Sequence, residues 1–526
     1  MISIECIITR GARFFAAAAT LLGVSACASL PENVDPVESY AFQDTQDTSL
    51  GQATHEKQWN EPGKSGFHLL NNGIDAFVAR AVLATAAERS IDAQYYLLHN
   101  DLTGRLFVAQ LLEAADRGVR VRLLVDDMDL ADRDLGVAIL DSHPNVQVRI
   151  FNPFSRSGSR NLQLVTDFGT ITRRMHNKSF TVDNQLAILG GRNIGNEYFE
   201  ADPGVEFKDL DVLTVGPVVD EVSHAFDTYW NHPLAYPVST LTGLSPSAEE
   251  ISAGKRRLAD YLSQQDTSRY VAALKTSALA QSIRKRTTRF DWGDGQVLYD
   301  HPDKIASPRS EASLQLAEDL RPHLKGVQEE LIIISPYFVP GRAGVQTLAD
   351  LATRGVAVKI LTNSLSSTDV PIVHAGYAKH RKAMLRAGIA LYEVNESLGE
   401  KKGSSVFNVA GSSKASLHAK VFILDRQSVF IGSLNLDPRS VYENTEIGVL
   451  AQSRELATAM AKGFDESIGK AAFRLELVER ADGQEKIEWY GKENGQEAVF
   501  DVDPYTGFWD RFSVDFMSLF PIDSQL

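Results

Sequence analysis

The apolar and polar positions of this chain follow one order twice. Ile91–Tyr96 in the first half and Leu331–Phe338 in the second are short β-branched and aromatic runs of the kind that form buried strands. A helical period follows each, over Leu106–Arg117 and Val345–Arg354, and both helices end in Arg-Gly-Val. Gly118 and Gly355 therefore stand where a helix is closed by a left-handed residue. A further apolar run, Val119–Asp127 or Val356–Thr362, completes a strand-helix-strand unit. Strands alternating with helices predict an α/β sheet covered on both faces.

Later in each half the period changes to strand-turn-strand. Ser179–Val182 and Val421–Leu424 run into Asp-Asn and Asp-Arg turns, and Leu186–Leu189 and Ser428–Ile431 resume the strand pattern. The same chemistry brackets both hairpins. His176, Lys178 and Asp183 precede Gly190-Gly191-Arg192-Asn193, and His418, Lys420 and Asp425 precede Gly432-Ser433-Leu434-Asn435, at identical offsets. One H-x-K-x₄-D match carries little weight, but two with matching Gly-x-x-Asn tails are a duplication. Alternate residues of a strand share a face, so each imidazole and ammonium points into a common pocket. The Gly positions allow close backbone approach and leave the Asn side chain to aim at an oxyanion.

A nucleophilic histidine, an acidic histidine, ammonium groups and amides are what displacement at a phosphodiester requires without a metal. One imidazole attacks to give a phosphohistidine, and the other protonates the departing alkoxide. The Lys and Asn groups hold the non-bridging oxygens. No H-x-x-x-H, H-E-x-x-H or cysteine ligand spacing occurs, and an ammonium beside each histidine repels a cation, so no metal or other cofactor is expected.

The paired motifs resemble those of the phospholipase D superfamily. That resemblance implies two phospholipase D-like α/β-sandwich domains related by internal duplication, with one active site at their interface. It also implies a carboxylate after each histidine that orients the ring, for which Asp211 and Glu446 stand in matching apolar frames, while Asp183 and Asp425 are structural. The expected reacting set is His176, Lys178, Asn193, Asp211, His418, Lys420, Ser433, Asn435 and Glu446, with Arg173 and Arg174 drawing in the phosphate. By the same resemblance His176 attacks and His418, paired with Glu446, protonates. Phe151-Asn152-Pro153-Phe154, the segment around His176, and Gly190 to Phe199 are similar to bacterial cardiolipin synthases of the C-type group. This implies phosphatidyl transfer between phosphatidylethanolamine and phosphatidylglycerol, with phospholipase D hydrolysis as the alternative; a phosphodiesterase nuclease and a non-catalytic lipid-binding envelope protein are the other readings.

The flanking sequence predicts location. Arg10 and Arg13 precede an apolar stretch too short to span a membrane comfortably, and Val24-Ser25-Ala26-Cys27 reads as a lipoprotein cleavage box. Residues 1–26 are then a signal peptide, and acylation at Cys27 tethers the protein to a membrane facing the periplasm. Ala28, where an Asp would favour inner-membrane retention, favours the outer membrane. Residues 27–60 read as a tether, 61–235 as the first domain, 236–300 as a helical linker, 301–483 as the second domain and 484–526 as a tail packed on it. A formal charge of −15 argues against a nucleic-acid partner. The oligomeric state is left open.

Overall fold

The computed structural model describes residues 30–33, 37–158, 160, 163, 169, 171–202, 206–265, 268–395, 415–493 and 495–518. Cys27 and the segment read as a signal peptide lie outside them.

The first lobe contains β1 (Ser65–Leu70), β2 (Ser90–Tyr95), β3 (Arg120–Asp126), β4 (Val146–Phe151), β5 (Ser179–Val182), β6 (Leu186–Gly190), β7 (Glu206–Lys208), β8 (Asp211–Val215) and β9 (Ala235–Pro237). Its sheet runs β9-β4-β3-β2-β5-β6-β8-β1, with β2, β3 and β4 parallel and the remaining neighbours antiparallel. The second lobe contains β10 (Asp291–Tyr299), β11 (Glu330–Ile334), β12 (Ala357–Thr362), β13 (Ala390–Val394), β14 (Ala415–Leu417), β15 (Val421–Leu424), β16 (Ser428–Gly432), β17 (Ile447–Gln452), β18 (Ala472–Glu479), β19 (Glu485–Glu493) and β20 (Gln496–Phe500). Its order, β18-β13-β12-β11-β15-β16-β17-β10, repeats the first lobe strand for strand. Antiparallel pairing of β1 with β10 joins the two sheets edge to edge.

The lobes also share a core. Helix Val218–Trp230 and helix Arg454–Ala471 are amphipathic, and their apolar stripes, Val218, Val222 and Ala225 on one and Leu456, Met460 and Phe464 on the other, meet Leu189, Val212, Ile334, Ile423 and Ile431 from both sheets. Such a core fixes one lobe against the other, as a site assembled from both requires.

The two hairpins are locked alike. Asp183 and Asn184, and Asp425 and Arg426, adopt φ near +50°, the left-handed pair that matches strand twist in a tight turn. The Asp183 carboxylate accepts from the backbone N–H groups of Glu88, Arg89 and Ser90, at the entry to β2. Asp425 accepts from those of Gln328, Glu329 and Glu330, at the entry to β11. Gly118 and Gly355 close their helices at φ +95° and +90°.

Three flanking segments differ from the sequence reading. Residues 37–59, read as part of a tether, pack on the first lobe: Ala41 N–H donates to Asp227, Ser39 N–H to Asn231, and Ser49–Gln58 is a helix. The linker's helices, Ala248–Gln265, Arg269–Thr276 and Ala278–Arg284, give way to β10, which completes the second lobe's sheet. In the tail, β19 and β20 extend that sheet beyond β18. Among the described residues no helix is long and apolar enough to cross a membrane.

Candidate active site

Each histidine is strapped to the opposite lobe. The His176 N–H donates to Thr445 O at 2.8 Å and Thr445 N–H returns a bond to Arg174 O, a parallel bridge between the first motif and the entry to β17. The second motif repeats this: β14 pairs with β7, and His418 N–H donates to Lys208 O at 2.8 Å. The residue after each strapping carbonyl is an acid, Glu446 or Asp209. Both carboxylates therefore reach across the interface, Glu446 to His176 Nδ1 at 2.8 Å and Asp209 to His418 Nδ1 at 2.5 Å.

This corrects two expectations. Glu446 holds His176 and not His418, and the acid on His418 is Asp209 and not Asp211. Sheet register explains the second. Gly190 pairs with Asp211, and its counterpart Gly432 pairs with Gly448, so Glu446 is equivalent to Asp209. Asp211 is instead fully buried against Arg80 at 2.9 Å, an ion pair inside the first lobe. Gly191 leaves room for Asp209, because a Cβ there would lie 2.3 Å from its carboxylate oxygen.

The rings sit in aromatic walls. His176 meets the edge of Tyr96 at 5.0 Å; His418 stacks on Phe207 at 5.1 Å and meets the edge of Tyr198 at 5.3 Å. Tyr198 and Phe207 were not singled out as site residues from the sequence. Lys178 and Lys420 turn back, each donating to the carbonyl of its own histidine, and Lys420 Nζ also lies 2.8 Å from His418 Nδ1. All four groups are buried.

Burial and company set the charges. His176 is held well below the usual histidine range by desolvation, with Lys178, Lys420 and His418 adding repulsion. Lys420 and His418 of the second half-site thus lie near enough to act on the His176 ring across the lobe interface. His418 is lowered by burial and Lys420, but Asp209 pulls it back. Burial pushes Glu446 up to about 7, against Lys178 and a hydrogen bond from the Ser433 hydroxyl. The same burial acts on Asp209, yet Lys420, His418 and Arg192 outweigh it and leave that acid at about 2. Desolvation brings Lys420 down to about 8.

The other expected residues divide. Asn435 is buried and its Oδ1, an acceptor, has no hydrogen-bond partner among the described residues. Asn193 is committed: its Oδ1 accepts from Leu97 N–H and its Nδ2 donates to the Tyr198 hydroxyl. Arg174 is not placed to bind phosphate in this geometry, and Arg173 is engaged through Nη1 alone. Arg174 is buried on Asp126 and on the carbonyls of Ile171 and Asn152, and Arg173 donates to the carbonyls of Lys304, Ile305 and Ser307. Both arginines fix the loop that carries His176. Among the described residues no three His, Cys, Asp or Glu side chains are grouped to hold a metal ion.

Two lobes of one topology, contributing paired histidines, lysines and crossed acids to a shared space, define a phospholipase D-like enzyme. The "Cardiolipin synthase, PLD-like domain" family matches residues 81–230 and 320–468, and the chain belongs to that family. Cardiolipin synthase C of Escherichia coli K12 is 41% identical over 463 residues, covering 88% of this chain and 96% of that protein. Cardiolipin synthase B of Salmonella typhi is 28% identical over 75% of this chain and 78% of its own length. The crystal structure of a phosphatidylserine synthase from Haemophilus influenzae Rd KW20 has the same fold, with a TM-score of 0.52 at 15% identity over 79% of this chain and 90% of that one.

Proposed function

We propose that the protein is a phosphatidyltransferase of the cardiolipin synthase kind, moving a phosphatidyl group from one phospholipid to the hydroxyl of another. The observation that carries this is the crossed pair of His-carboxylate contacts, which presents two imidazoles to one space. With Glu446 ionised and accepting from Nδ1–H, His176 exposes the Nε2 lone pair to phosphorus. Attack forms the P–Nε2 bond and breaks the P–O bond to the donor's head group, whose oxygen takes a proton from His418. The acceptor's hydroxyl then gives its proton to His418 and attacks phosphorus, breaking the P–N bond and restoring His176. His418 is the more readily protonated ring because Asp209 remains ionised beside it, while His176 is held further below the usual histidine range. Lys420 supplies positive charge for the non-bridging oxygens, and Lys178, whose ammonium burial holds well below the usual lysine range, gains its charge when a phosphate stands beside it.

The substrate pair that fits the family is phosphatidylethanolamine and phosphatidylglycerol. The lipobox at Cys27 places the enzyme on a periplasmic membrane surface by acylation, with the outer membrane favoured. Purified protein given a vesicle mixture of the two lipids is expected to produce cardiolipin, read by mass spectrometry of the extract. Phosphatidic acid alone would make water the acceptor and the enzyme a phospholipase D; unchanged lipids would remove the transferase reading.

A further inference from the structure

The tail helix Phe508–Ser518 buries one residue fully, Val514, which packs with Leu365 and Ala375. Its other side is aromatic and open: Phe508, Trp509, Phe512 and Phe516 are 64%, 74%, 50% and 53% exposed. Phe508 and Phe512 stack at 6.1 Å between ring centres, and Phe516 continues the row at 6.4 Å. Spacing of four residues puts these rings on one stripe. An aromatic side chain carries roughly 150–250 Å². The open area is then on the order of 400 Å², at the size where a patch on a monomer marks an interaction site.

This face is mounted rigidly. Asp503, just before the helix, pairs with Arg381 at 2.9 Å; Arg381 pairs with Glu393 at 2.8 Å, and Trp489 of β19 donates to Glu393 at 2.9 Å. It also adjoins the active site through one short segment. Asp369 accepts from the Tyr337 hydroxyl at 2.6 Å and acts electrostatically on His418 and Lys420. Two residues later begins helix Pro371–Ala378, on which the tail helix packs through Ala375 and Ala378. Ile372 on that helix is a further exposed apolar residue, at 39%.

We infer that helix Phe508–Ser518 is a membrane-docking element that seats its aromatic stripe in the head-group region of a phospholipid bilayer and holds the active site against it. The inference rests on the reading that the substrates are bilayer phospholipids. Phe and Trp rings are suited to the boundary between water and acyl chains. A stable contact between two copies needs roughly 800 Å² per partner, about twice this patch. Asp510 and Asp515 are exposed on the same helix, so contact with anionic head groups is not what holds it; docking is apolar and changes little with salt.

The full chain on phosphatidylethanolamine and phosphatidylglycerol vesicles with brominated acyl chains tests this by fluorescence. Quenching is expected, with most of it removed by Trp509→Phe; equal quenching in that variant overturns the proposal. A Phe508→Ser and Phe512→Ser double variant is expected to lose at least tenfold in turnover on vesicles and keep its rate on dispersed short-chain lipid. Undiminished vesicle turnover, or a dimer in the parent chain that the double variant dissolves, overturns it as well. Absence of turnover on both lipid forms in the parent chain would instead remove the phosphatidyl-transfer reading, and quenching alone would then decide docking.

Discussion

At His418 the imidazole stands between Asp209, ionised at any ordinary pH, and the stacked face of Phe207, with Lys420 2.8 Å from the same ring nitrogen. At His176 the partner Glu446 titrates at about 7, Ser433 donates to that carboxylate, and the wall is the edge of Tyr96. Where the second half-site has Ser433 the first has Gly191, and where Asn435 keeps an unpartnered amide oxygen Asn193 is tied to Tyr198. Duplication supplied the same groups twice. Their surroundings then separated a neutral ring from one held beside a permanent anion, which is how two identical side chains divide nucleophile from acid.

Removing either ring tests whether the halves form one unit. His176→Ala and His418→Ala should each lower kcat by about 10³-fold or more, with the double variant scarcely worse, because groups acting together are not additive. Losses that multiply would mean two separate sites. The alkaline-stable phosphoryl label, trapped by rapid quench, is expected on His176; label on His418 would exchange the roles.

The two neighbouring acids of the first lobe should separate next. Asp209→Asn leaves His418 with a neutral partner and should cost roughly 10³-fold in kcat, by analogy with other histidines that lose an orienting carboxylate. Asp211→Asn breaks a buried ion pair with Arg80 and should cost about 3–5 kcal/mol of stability. Its folded fraction should retain most of its rate. Kinetics beside thermal melts distinguish the two, and the reverse pattern would restore Asp211 as the orienting acid.

A smaller difference appears in the pH profile. Glu446 is protonated as pH falls through about 7, which takes away the acceptor that holds His176 in its attacking tautomer, so the rate should drop on that side. Lys420 loses its charge as pH rises through about 8, so the rate should drop there too. Asp209, at about 2, contributes no limb in the working range. A flat profile from pH 5 to 9 would contradict this asymmetry.

The smallest effect belongs to Ser433→Ala. Its hydrogen bond favours the ionised form of Glu446, so removing it should move the acid limb upward in pH and lower the rate at pH 7 by about tenfold or less. A limb that stays in place would show that Ser433 matters only for packing.

The duplication, the strand-helix-strand units, both hairpins and the groups that carry the chemistry are legible along the chain. These depend on local period and on offsets along the chain, which a linear reading captures. Asp183 and Asp425 belong to this class, since each closes its hairpin turn at the same offset from the motif histidine. Which acid meets which histidine is set by sheet register and lobe packing. Asp209 and Asp211 lie two residues apart in one apolar frame, and the register of Gly190 against Asp211 separates them. Crossing of the acids between lobes follows from the backbone straps Met175–Thr445 and β14–β7, contacts between segments more than two hundred residues apart in the chain. Arg174 likewise read as a free cation beside the motif, yet burial against Asp126 spends its charge inside the fold, and no local pattern reports where a long side chain finds its counter-ion.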